Sequence, residues 1–178
     1  MNNNVTTRAK DIRLAVFDVD GVLTDGRLYM NDAGEEIKAF NTLDGHGLKM
    51  LKATGIELAI ITGRTSKSVE LRARNLGITY LYQGVDDKLA SLMELTTLLG
   101  IPLSATAFMG DDVIDLPCLI NARLAIAVPA APEVIQQHVH YITKAEGGMG
   151  AVREACELIM RAQGTLDQLL SKYLVSPL

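Results

Sequence analysis

Two acidic side chains stand two residues apart in the segment FDVDGVLTD at 17–25. Asp18 and Asp20 follow a hydrophobic run, and Gly21 comes directly after them. Side chains two apart on an extended chain point to the same side, so the two carboxylates would lie close together. At about 4 Å, two like charges repel by roughly 4 kcal/mol at an effective dielectric of about 20. The pair therefore predicts a nearby cation, either a metal ion or a basic side chain.

Polar and charged side chains also follow or flank three later hydrophobic segments. They are Thr62 and Arg64 in IITGR, Lys88 in VDDKLASLM, and Asp111, Asp112 and Asp115 in FMGDDVID. A loop that leads into a helix exposes backbone N–H groups, which favour an anion such as phosphate. Carboxylates suit Mg²⁺, a hard cation that takes oxygen ligands. Together these groups predict a site for Mg²⁺ and a phosphoryl group, with Lys88 offsetting part of the negative charge.

A parallel sheet would bring these groups together. Three segments end a helix-like stretch in Gly-Ile and then continue as a strand: LKATGIELAIIT, RARNLGITYLYQ and LLGIPLSATAFMG. Glycine supplies the left-handed residue that ends a helix, and the β-branched residue begins the next strand. Alternating strands and helices predict an α/β fold with a doubly wound, Rossmann-like parallel sheet covered on both faces. Ligands of such sheets bind beyond the carboxyl ends of the strands.

The expected elements can be placed along one domain of 178 residues, 1–178. Strands are expected near 13–18, 57–62, 79–82, 106–109 and 124–128. Helices are expected near 45–54, 66–76, 87–99, 113–121 and 150–162.

Two segments do not fit the alternation. GRLYMNDAGEEIKAF at 26–40 predicts a β-hairpin around a glycine-containing turn. This flap either overhangs the carboxylates or simply extends the sheet. The tail at 163–178 carries Leu166, Leu169, Leu170 and Tyr173 at helical spacing. Its apolar face predicts packing either on its own domain or on a neighbouring subunit.

Composition narrows the functional classes. With 48% hydrophobic and 21% charged residues, the chain has the balance of a soluble globular protein. Lys and Arg total 17 against 21 Asp and Glu, so nucleic acid is not expected as a partner. No segment is apolar enough for a membrane span or a secretory signal, and the two cysteines are far apart. These features predict a cytoplasmic protein without a membrane partner.

The motifs FDVDGVLTD, ITGR, Lys88 and GDDVIDLP, in this order, resemble the four motifs of the haloacid dehalogenase superfamily of phosphotransferases. More narrowly, the short chain, the hairpin after DVDGVLTDG, the GDDxxDLP motif and the stretch AEGGMGAVRE resemble 3-deoxy-D-manno-octulosonate 8-phosphate phosphatases. The resemblance covers nearly the whole chain, except for about the first ten residues and the extreme C-terminus.

The resemblance implies a role for each motif residue. Asp18 would be the nucleophile that forms an aspartyl-phosphate, and Asp20 the acid and base that serves the leaving oxygen and then water. Mg²⁺ would be bound by the Asp18 carboxylate, the Asp20 backbone carbonyl and Asp111. Thr62 and Lys88 would hold phosphoryl oxygens. Either of two further carboxylates would orient the metal's waters or the lysine: Asp112 or Asp115.

Substrate recognition is expected from other groups. Arg64 and Arg72 would reach the carboxylate of a sugar-acid phosphate, for which a planar guanidinium is well suited, although Arg72 could equally be a solvated helix residue. Gly147 and Gly148 would form a backbone cradle near the substrate, or only a flexible loop. The motifs leave no room for a cap domain, and the resembling family encloses its substrate by forming a homotetramer. The flap and the tail would then be assembly surfaces.

Three alternatives remain open at this stage. A phospho-accepting receiver module also holds Mg²⁺ and an aspartyl-phosphate on a doubly wound sheet, but Asp20 stands where hydrolysis needs an acid and base. An interaction-only member of the phosphatase fold would not need the complete set of motifs. A phosphatase for another keto-sugar acid phosphate, such as a sialic-acid 9-phosphate, fits the same residues.

Overall fold

A parallel sheet forms the centre of the molecule in the computed structural model, which describes residues 3–174. The strands are β1 (Leu14–Phe17), β2 (Tyr29–Met30), β3 (Glu36–Ile37), β4 (Glu57–Ile61), β5 (Tyr80–Tyr82), β6 (Thr106–Met109), β7 (Leu124–Ala127) and β8 (Tyr141–Ile142). The helices are α1 (Asn3–Lys10), α2 (Thr42–Ala53), α3 (Lys67–Leu76), α4 (Lys88–Leu99), α5 (Leu116–Asn121), α6 (Glu133–Gln136), α7 (Ala151–Ala162) and α8 (Leu166–Leu170). No helix within residues 3–174 is long and apolar enough to cross a lipid bilayer.

The sheet order is β5-β4-β1-β6-β7-β8, with every neighbouring pair parallel. All four residues of β1, β6 and β7 are buried. Because successive side chains point to opposite faces, both faces of the sheet must be covered. One group of helices places α1 and α2 against α7, and a second group places α4 against α5. The predicted doubly wound α/β fold is confirmed.

The predicted Gly-Ile junctions also form. Gly77 and Gly100 end α3 and α4 with φ of 70° and 62°, the left-handed region that a side chain disfavours. Ile78 and Ile101 follow them and are buried. The helix expected at 113–121 begins instead as a short 3₁₀ turn, Val113–Asp115, before α5. A reciprocal cap between Asp112 and Asp115 fixes this turn.

Residue register brings the motif segments to the same edge of the sheet. Phe17 in β1 lies opposite Ile60 in β4 and Met109 in β6. The segments that continue from these three strands therefore emerge side by side. The backbone N–H of Asp18 donates to the carbonyl of Met109 at 3.0 Å, which ties the first motif to the strand that carries the last.

The predicted hairpin is present as the antiparallel pair of β2 and β3. The Asn31 side chain accepts hydrogen bonds from the N–H groups of Ala33 and Glu35, which closes the turn. The flap has an exposed apolar surface, formed by Leu28, Tyr29, Met30 and Ile37. The flap is a separate two-stranded unit, not an extension of the central sheet.

The tail packs partly on its own chain. Leu166 is buried, and Leu169 and Leu170 pack against the core at partial exposure. Tyr173 is 69% exposed, so the predicted apolar face is covered only at its beginning. The last four residues of the predicted tail, 175–178, lie outside the described residues.

Candidate active site

A buried ion network lies beyond the carboxyl end of β1. Lys88 Nζ donates to Asp115 Oδ1 at 2.6 Å and lies 2.9 Å from Asp18 Oδ1. The side chain of Lys88 is 1% exposed, that of Asp115 is 0% exposed and that of Asp18 is 6% exposed. Lys88 is the first residue of α4, and Asp87 caps that helix by accepting from the N–H of Ala90. The cap thus fixes the helix start that delivers the lysine.

Burial and like charges raise the carboxyl pKa values in this network. Desolvation, followed by the charge of Asp115, raises the pKa of Asp18 to about 6, although Lys88 opposes the rise. Desolvation alone would lower the pKa of Lys88, but the charges of Asp18 and Asp115 outweigh it and raise that pKa. Lys88 is therefore held as a cation at neutral pH.

Asp111 provides a third carboxylate at the edge of the sheet. Its pKa rises to about 7, first because of burial and then because of the charges of Asp18 and Asp115. The Asp111 side chain packs against Gly21: a methyl group at Gly21 would fall 2.6 Å from Asp111 Cγ. Glycine at 21, with φ of 87°, therefore allows the first and last motifs to touch.

The contacts of each carboxylate oxygen show which acidic residues could bind a metal ion and which one holds Lys88. Oxygens of Asp18, Asp111 and Asp115 lie within 4.8 Å of one another. Asp115 uses Oδ1 for Lys88 and Oδ2 for the N–H groups of Asp111 and Asp112. Within residues 3–174, the buried Oδ1 atoms of Asp18 and Asp111 accept no hydrogen bond, although Asp18 Oδ1 is in ion-pair contact with Lys88. Asp18 and Asp111 thus have oxygens available for a cation.

Asp20 faces the flap rather than Lys88. Lys38, which follows β3, forms an ion pair with Asp20 Oδ1 and also donates to Glu36 at 2.8 Å. Arg64 Nη2 donates to Glu36 at 2.8 Å, and Arg64 Nε lies 3.8 Å from Asp20 Oδ2. Hydrogen bonds from Lys38 and then Arg64 lower the pKa of Glu36. Two carboxylates and two cations therefore connect the flap with the first two motifs.

The remaining predicted catalytic residues lie at the same edge. Thr62 is buried directly after β4, and its backbone N–H donates to the carbonyl of Tyr82 at 3.0 Å. Asp112 is exposed and accepts from the N–H of Val113, so it acts here as a helix cap. Of the two predicted supporting carboxylates, Asp115 holds the lysine.

The predicted substrate residues fall into two places. Gly147 and Gly148 pack on the loop that follows Asp20: Gly148 N–H donates to the Val22 carbonyl at 2.9 Å. Gly147 also lines a cavity of about 360 Å³ together with Gly21 and Asp111. Such a cavity, open beside the carboxylates, is large enough for part of a small ligand.

Arg72 lies apart from this group in the isolated chain. Its guanidinium donates to the Asn41 carbonyl at 2.9 Å and stacks over the Phe40 ring at 5.8 Å. A contact between Arg72 and a substrate stays a prediction. A larger depression of about 760 Å³ lies at the opposite edge of the sheet, around Arg13 and Ile56, away from every motif carboxylate.

Lys38 and Glu36 are site residues that sequence reasoning missed. The repulsion between Asp18 and Asp20 predicted a nearby cation, either a metal ion or a basic side chain, and Lys88 was the lysine expected to offset part of the negative charge. The structure divides that task, with Lys88 at Asp18 and Lys38 at Asp20. The sequence did indicate that a second carboxylate needs a second cation. Only the folded flap shows that Lys38 provides it.

Similarity to known proteins shows the family to which this chain belongs. A sequence model of haloacid dehalogenase-like hydrolases matches residues 81–154. The 3-deoxy-D-manno-octulosonate 8-phosphate phosphatase of Escherichia coli K12 is 47% identical over 165 residues, which cover 93% of this chain and 88% of that protein. This chain belongs to the 3-deoxy-D-manno-octulosonate 8-phosphate phosphatase family. The expectation drawn from the four motifs is confirmed.

Solved structures of this phosphatase family share the fold. The Moraxella catarrhalis phosphatase, crystallised with magnesium, phosphate and KDO, is 47% identical with a TM-score of 0.95 and covers 97% of this chain and 99% of its own. The cobalt-bound Haemophilus influenzae phosphatase is 37% identical with a TM-score of 0.85, covering 88% and 92%. The capless α/β architecture is therefore that of the phosphatase family.

The residues present fit the Mg²⁺ expected of this phosphatase family. Within residues 3–174, Asp111 Oδ1 is buried and accepts no hydrogen bond, and Asp18 Oδ1 is buried in ion-pair contact with Lys88; both are hard donors of the type Mg²⁺ prefers. Burial, and then the charges of neighbouring carboxylates, raise the pKa values of both groups, and a bound cation would oppose that rise. The predicted contribution of the Asp20 backbone carbonyl stays a prediction.

Proposed function

We propose that this chain hydrolyses 3-deoxy-D-manno-octulosonate 8-phosphate to the free sugar acid and inorganic phosphate, with Mg²⁺ as cofactor. The observation that carries the proposal is its 47% identity, across nearly its whole length, to the Moraxella catarrhalis phosphatase that binds magnesium, phosphate and KDO. The cluster of Asp18, Lys88 and Asp111 beyond the carboxyl end of β1 supports phosphomonoester chemistry in this chain.

In the first step, a carboxylate oxygen of Asp18 bonds to phosphorus while the bond from phosphorus to the sugar oxygen breaks. Asp20 gives its proton to that departing oxygen. Lys88 fixes Asp18 in place and offsets the negative charge of the phosphoryl oxygens, and the Thr62 hydroxyl donates a hydrogen bond to them. Mg²⁺, held by Asp18 and Asp111, supplies further stabilisation of that charge.

In the second step, Asp20 takes a proton from water as the water oxygen bonds to phosphorus. The bond between phosphorus and Asp18 then breaks, which releases phosphate and restores both carboxyl groups. Asp115 contributes by holding Lys88 at 2.6 Å. The catalytic residues of the proposal are thus Asp18, Asp20, Thr62 and Lys88, with Asp111 as a metal ligand and Asp115 and Asp112 in support.

The substrate's sugar acid would lie beneath the flap. A cavity lies beside Gly147 and Asp111. The side chain of Arg64 is 49% exposed, and its guanidinium is suited to a carboxylate. Arg72, Gly147 and Gly148 belong to the same proposal, with Gly147 and Gly148 shaping the loop after Asp20. The whole chain, 1–178, would act as one domain with the flap at 26–40 and the tail at 163–178.

The proposed assembly is a homotetramer. The apolar surface of the flap and the exposed Tyr173 of the tail leave hydrophobic area uncovered on the isolated chain. A neighbouring subunit on these surfaces would enclose a site that has no cap. Sedimentation should give a mass near four chains. A monomer with full activity on the sugar phosphate would overturn this assembly.

The proposed cellular role follows from the substrate. In the cytoplasm, the product would feed lipopolysaccharide synthesis. The test is inorganic phosphate release from a panel that includes 3-deoxy-D-manno-octulosonate 8-phosphate and a sialic-acid 9-phosphate, with Mg²⁺ and with EDTA. Mg²⁺-dependent preference for the eight-carbon acid is expected. Preference for the nine-carbon acid would change the substrate, and absence of release from every ester would indicate a phospho-accepting module.

A further inference from the structure

Lys38 is the most enclosed member of the charge network beneath the flap. Its side chain is only 3% exposed, although it belongs to a surface hairpin. Its ammonium group lies between Asp20 Oδ1 and Glu36 Oε1, the latter at 2.8 Å. A buried ammonium that serves two carboxylates is held in one place, unlike a solvated surface lysine.

The two oxygens of Asp20 are therefore in different environments. Oδ1 is engaged by Lys38, whereas Arg64 Nε lies 3.8 Å from Oδ2, beyond hydrogen-bond distance. A carboxyl group whose Oδ1 accepts from an ammonium carries its proton on Oδ2. The ion pair thus selects the oxygen that can exchange a proton and limits rotation of the group.

Glu36 and Arg64 hold Lys38 in position from the other side. Glu36 accepts from Lys38 and from Arg64, each at 2.8 Å, with one oxygen for each cation. Arg64 belongs to the second motif, so the lysine is anchored between the flap and the catalytic loops. Displacement of β3 would remove the partner of Asp20 Oδ1.

From this arrangement we infer that Lys38 is a positioning residue for the proton transfer. It orients Asp20 so that Oδ2 donates a proton to the departing ester oxygen as phosphorus bonds to Asp18. In the second step the same oxygen accepts a proton from the attacking water. The inference rests on the proposed phosphatase function, and it assigns to the flap a role in leaving-group protonation.

Leaving-group chemistry separates this role from a structural one. A sugar alkoxide needs a proton to depart, phenolate needs less help, and 4-nitrophenolate leaves as a stable anion. The experiment measures single-turnover rates, with enzyme in excess over each of these three phosphate esters, so that leaving-group departure is followed apart from hydrolysis of the phosphoenzyme. Wild type is compared with Lys38→Met, Lys38→Arg and Glu36→Gln.

Lys38→Met is expected to lose at least about 100-fold on the sugar phosphate but less than about fivefold on 4-nitrophenyl phosphate, with phenyl phosphate between them. Lys38→Arg should recover part of the loss, because guanidinium also donates to a carboxylate. Glu36→Gln should show the same order of substrates with smaller losses. Lys67→Met, which removes an exposed lysine outside the site, should match wild type on all three esters.

Equal losses of Lys38→Met on all three esters would overturn the inference and leave Lys38 as a structural support of the flap. Wild-type turnover of the aryl esters without turnover of the sugar phosphate would instead overturn the proposed substrate. The comparison of phenyl with 4-nitrophenyl phosphate would then still decide the role of Lys38. If Lys38→Met does not fold, Glu36→Gln provides the same comparison.

Discussion

Lys88 donates a 2.6 Å hydrogen bond to Asp115 at a point where neither side chain is more than 1% exposed. Lys88→Met would leave Asp115 and Asp18 buried without their cation. Removal of one partner from a buried pair typically costs about 3–5 kcal/mol in the free energy of unfolding. We expect a loss of that size in urea-induced unfolding with EDTA present.

The matched control for this substitution is Lys67→Met. Lys67 pairs with Glu70 on the surface of α3, and their side chains are 70% and 38% exposed. Such an exposed pair contributes little to the free energy of unfolding. A cost for Lys88→Met no larger than that of Lys67→Met would contradict a structural role for the buried network.

Asp18→Asn removes the proposed nucleophile while it preserves the size of the side chain. Phosphate release should fall by more than about 10⁴-fold, since loss of a nucleophile in a covalent mechanism can cost as much as about 10⁶-fold. The melting temperature should stay within a few degrees of wild type or rise, because burial disfavours the Asp18 carboxylate in the metal-free chain. Steady-state phosphate assays and thermal unfolding measure the two quantities. Substantial residual hydrolysis would exclude the covalent route.

The raised pKa values of Asp18 and Asp111, about 6 and about 7, make stability depend on pH in the metal-free chain. Both exceed 3.8, the ordinary value expected in the unfolded chain. Between these limits the folded chain binds more protons than the unfolded chain, so the contribution of the two groups to stability decreases as pH rises from about 4 to about 7. Mg²⁺ binds the deprotonated carboxylates and competes with these protons.

We therefore expect Mg²⁺ to raise the melting temperature more at pH 8 than at pH 5.5. Below about pH 6 its apparent affinity should fall by about tenfold per pH unit for each proton displaced. Thermal unfolding with EDTA and with saturating Mg²⁺ measures both effects. Asp111→Asn, which removes one titrating ligand, should weaken the pH dependence. An equal Mg²⁺-induced rise at both pH values would contradict the assignment of these ligands.

Gly148 packs on the loop that follows Asp20, and Gly100, which ends α4, is a matched control for its substitution. Their φ values are similar, 65° for Gly148 and 62° for Gly100. A methyl group at Gly148 would lie 2.6 Å from the Thr24 carbonyl carbon, whereas a methyl group at Gly100 would have no neighbouring atom of the described residues within 4 Å. Gly100→Ala should cost about 1–2 kcal/mol in unfolding free energy from backbone strain alone. Gly148→Ala should cost more and should also lower kcat, because the catalytic loop must move. Equal stability costs, with activity unchanged, would show that the close approach is unimportant.

The strands that could be located from the sequence are those with a long run of apolar residues. LAVF, ELAII and LAIA are nearly continuous because β1, β4 and β7 are buried on both faces, so their positions were predicted within a residue or two. The two residues of β8 give no such pattern. Helix α1 was missed because NNVTTRAK is mostly polar, and only its packing on α7 shows why Val5 and Ala9 are buried.

The site was predictable wherever a residue directly follows a strand. Asp18 and Thr62 do so, Asp111 follows β6 after Gly110, and parallel order then requires the three to meet. Lys38 could not be placed in this way, because its contact with Asp20 joins two segments that the sheet does not align. Arg72 lies within α3 whereas Arg64 precedes that helix, so helical spacing does not relate the two arginines.

The order of strands also affects how the site tolerates local opening of the fold. β1, β4 and β6 each have a hydrogen-bonded neighbour on both sides, whereas β5 and β8 form the edges. Fraying that begins at an edge breaks bonds of β5 or β8 before it reaches the strand that carries Asp18. Amide hydrogens of β1 should thus exchange with solvent only when the whole sheet opens, and the Asp18 carboxylate keeps its position through smaller fluctuations.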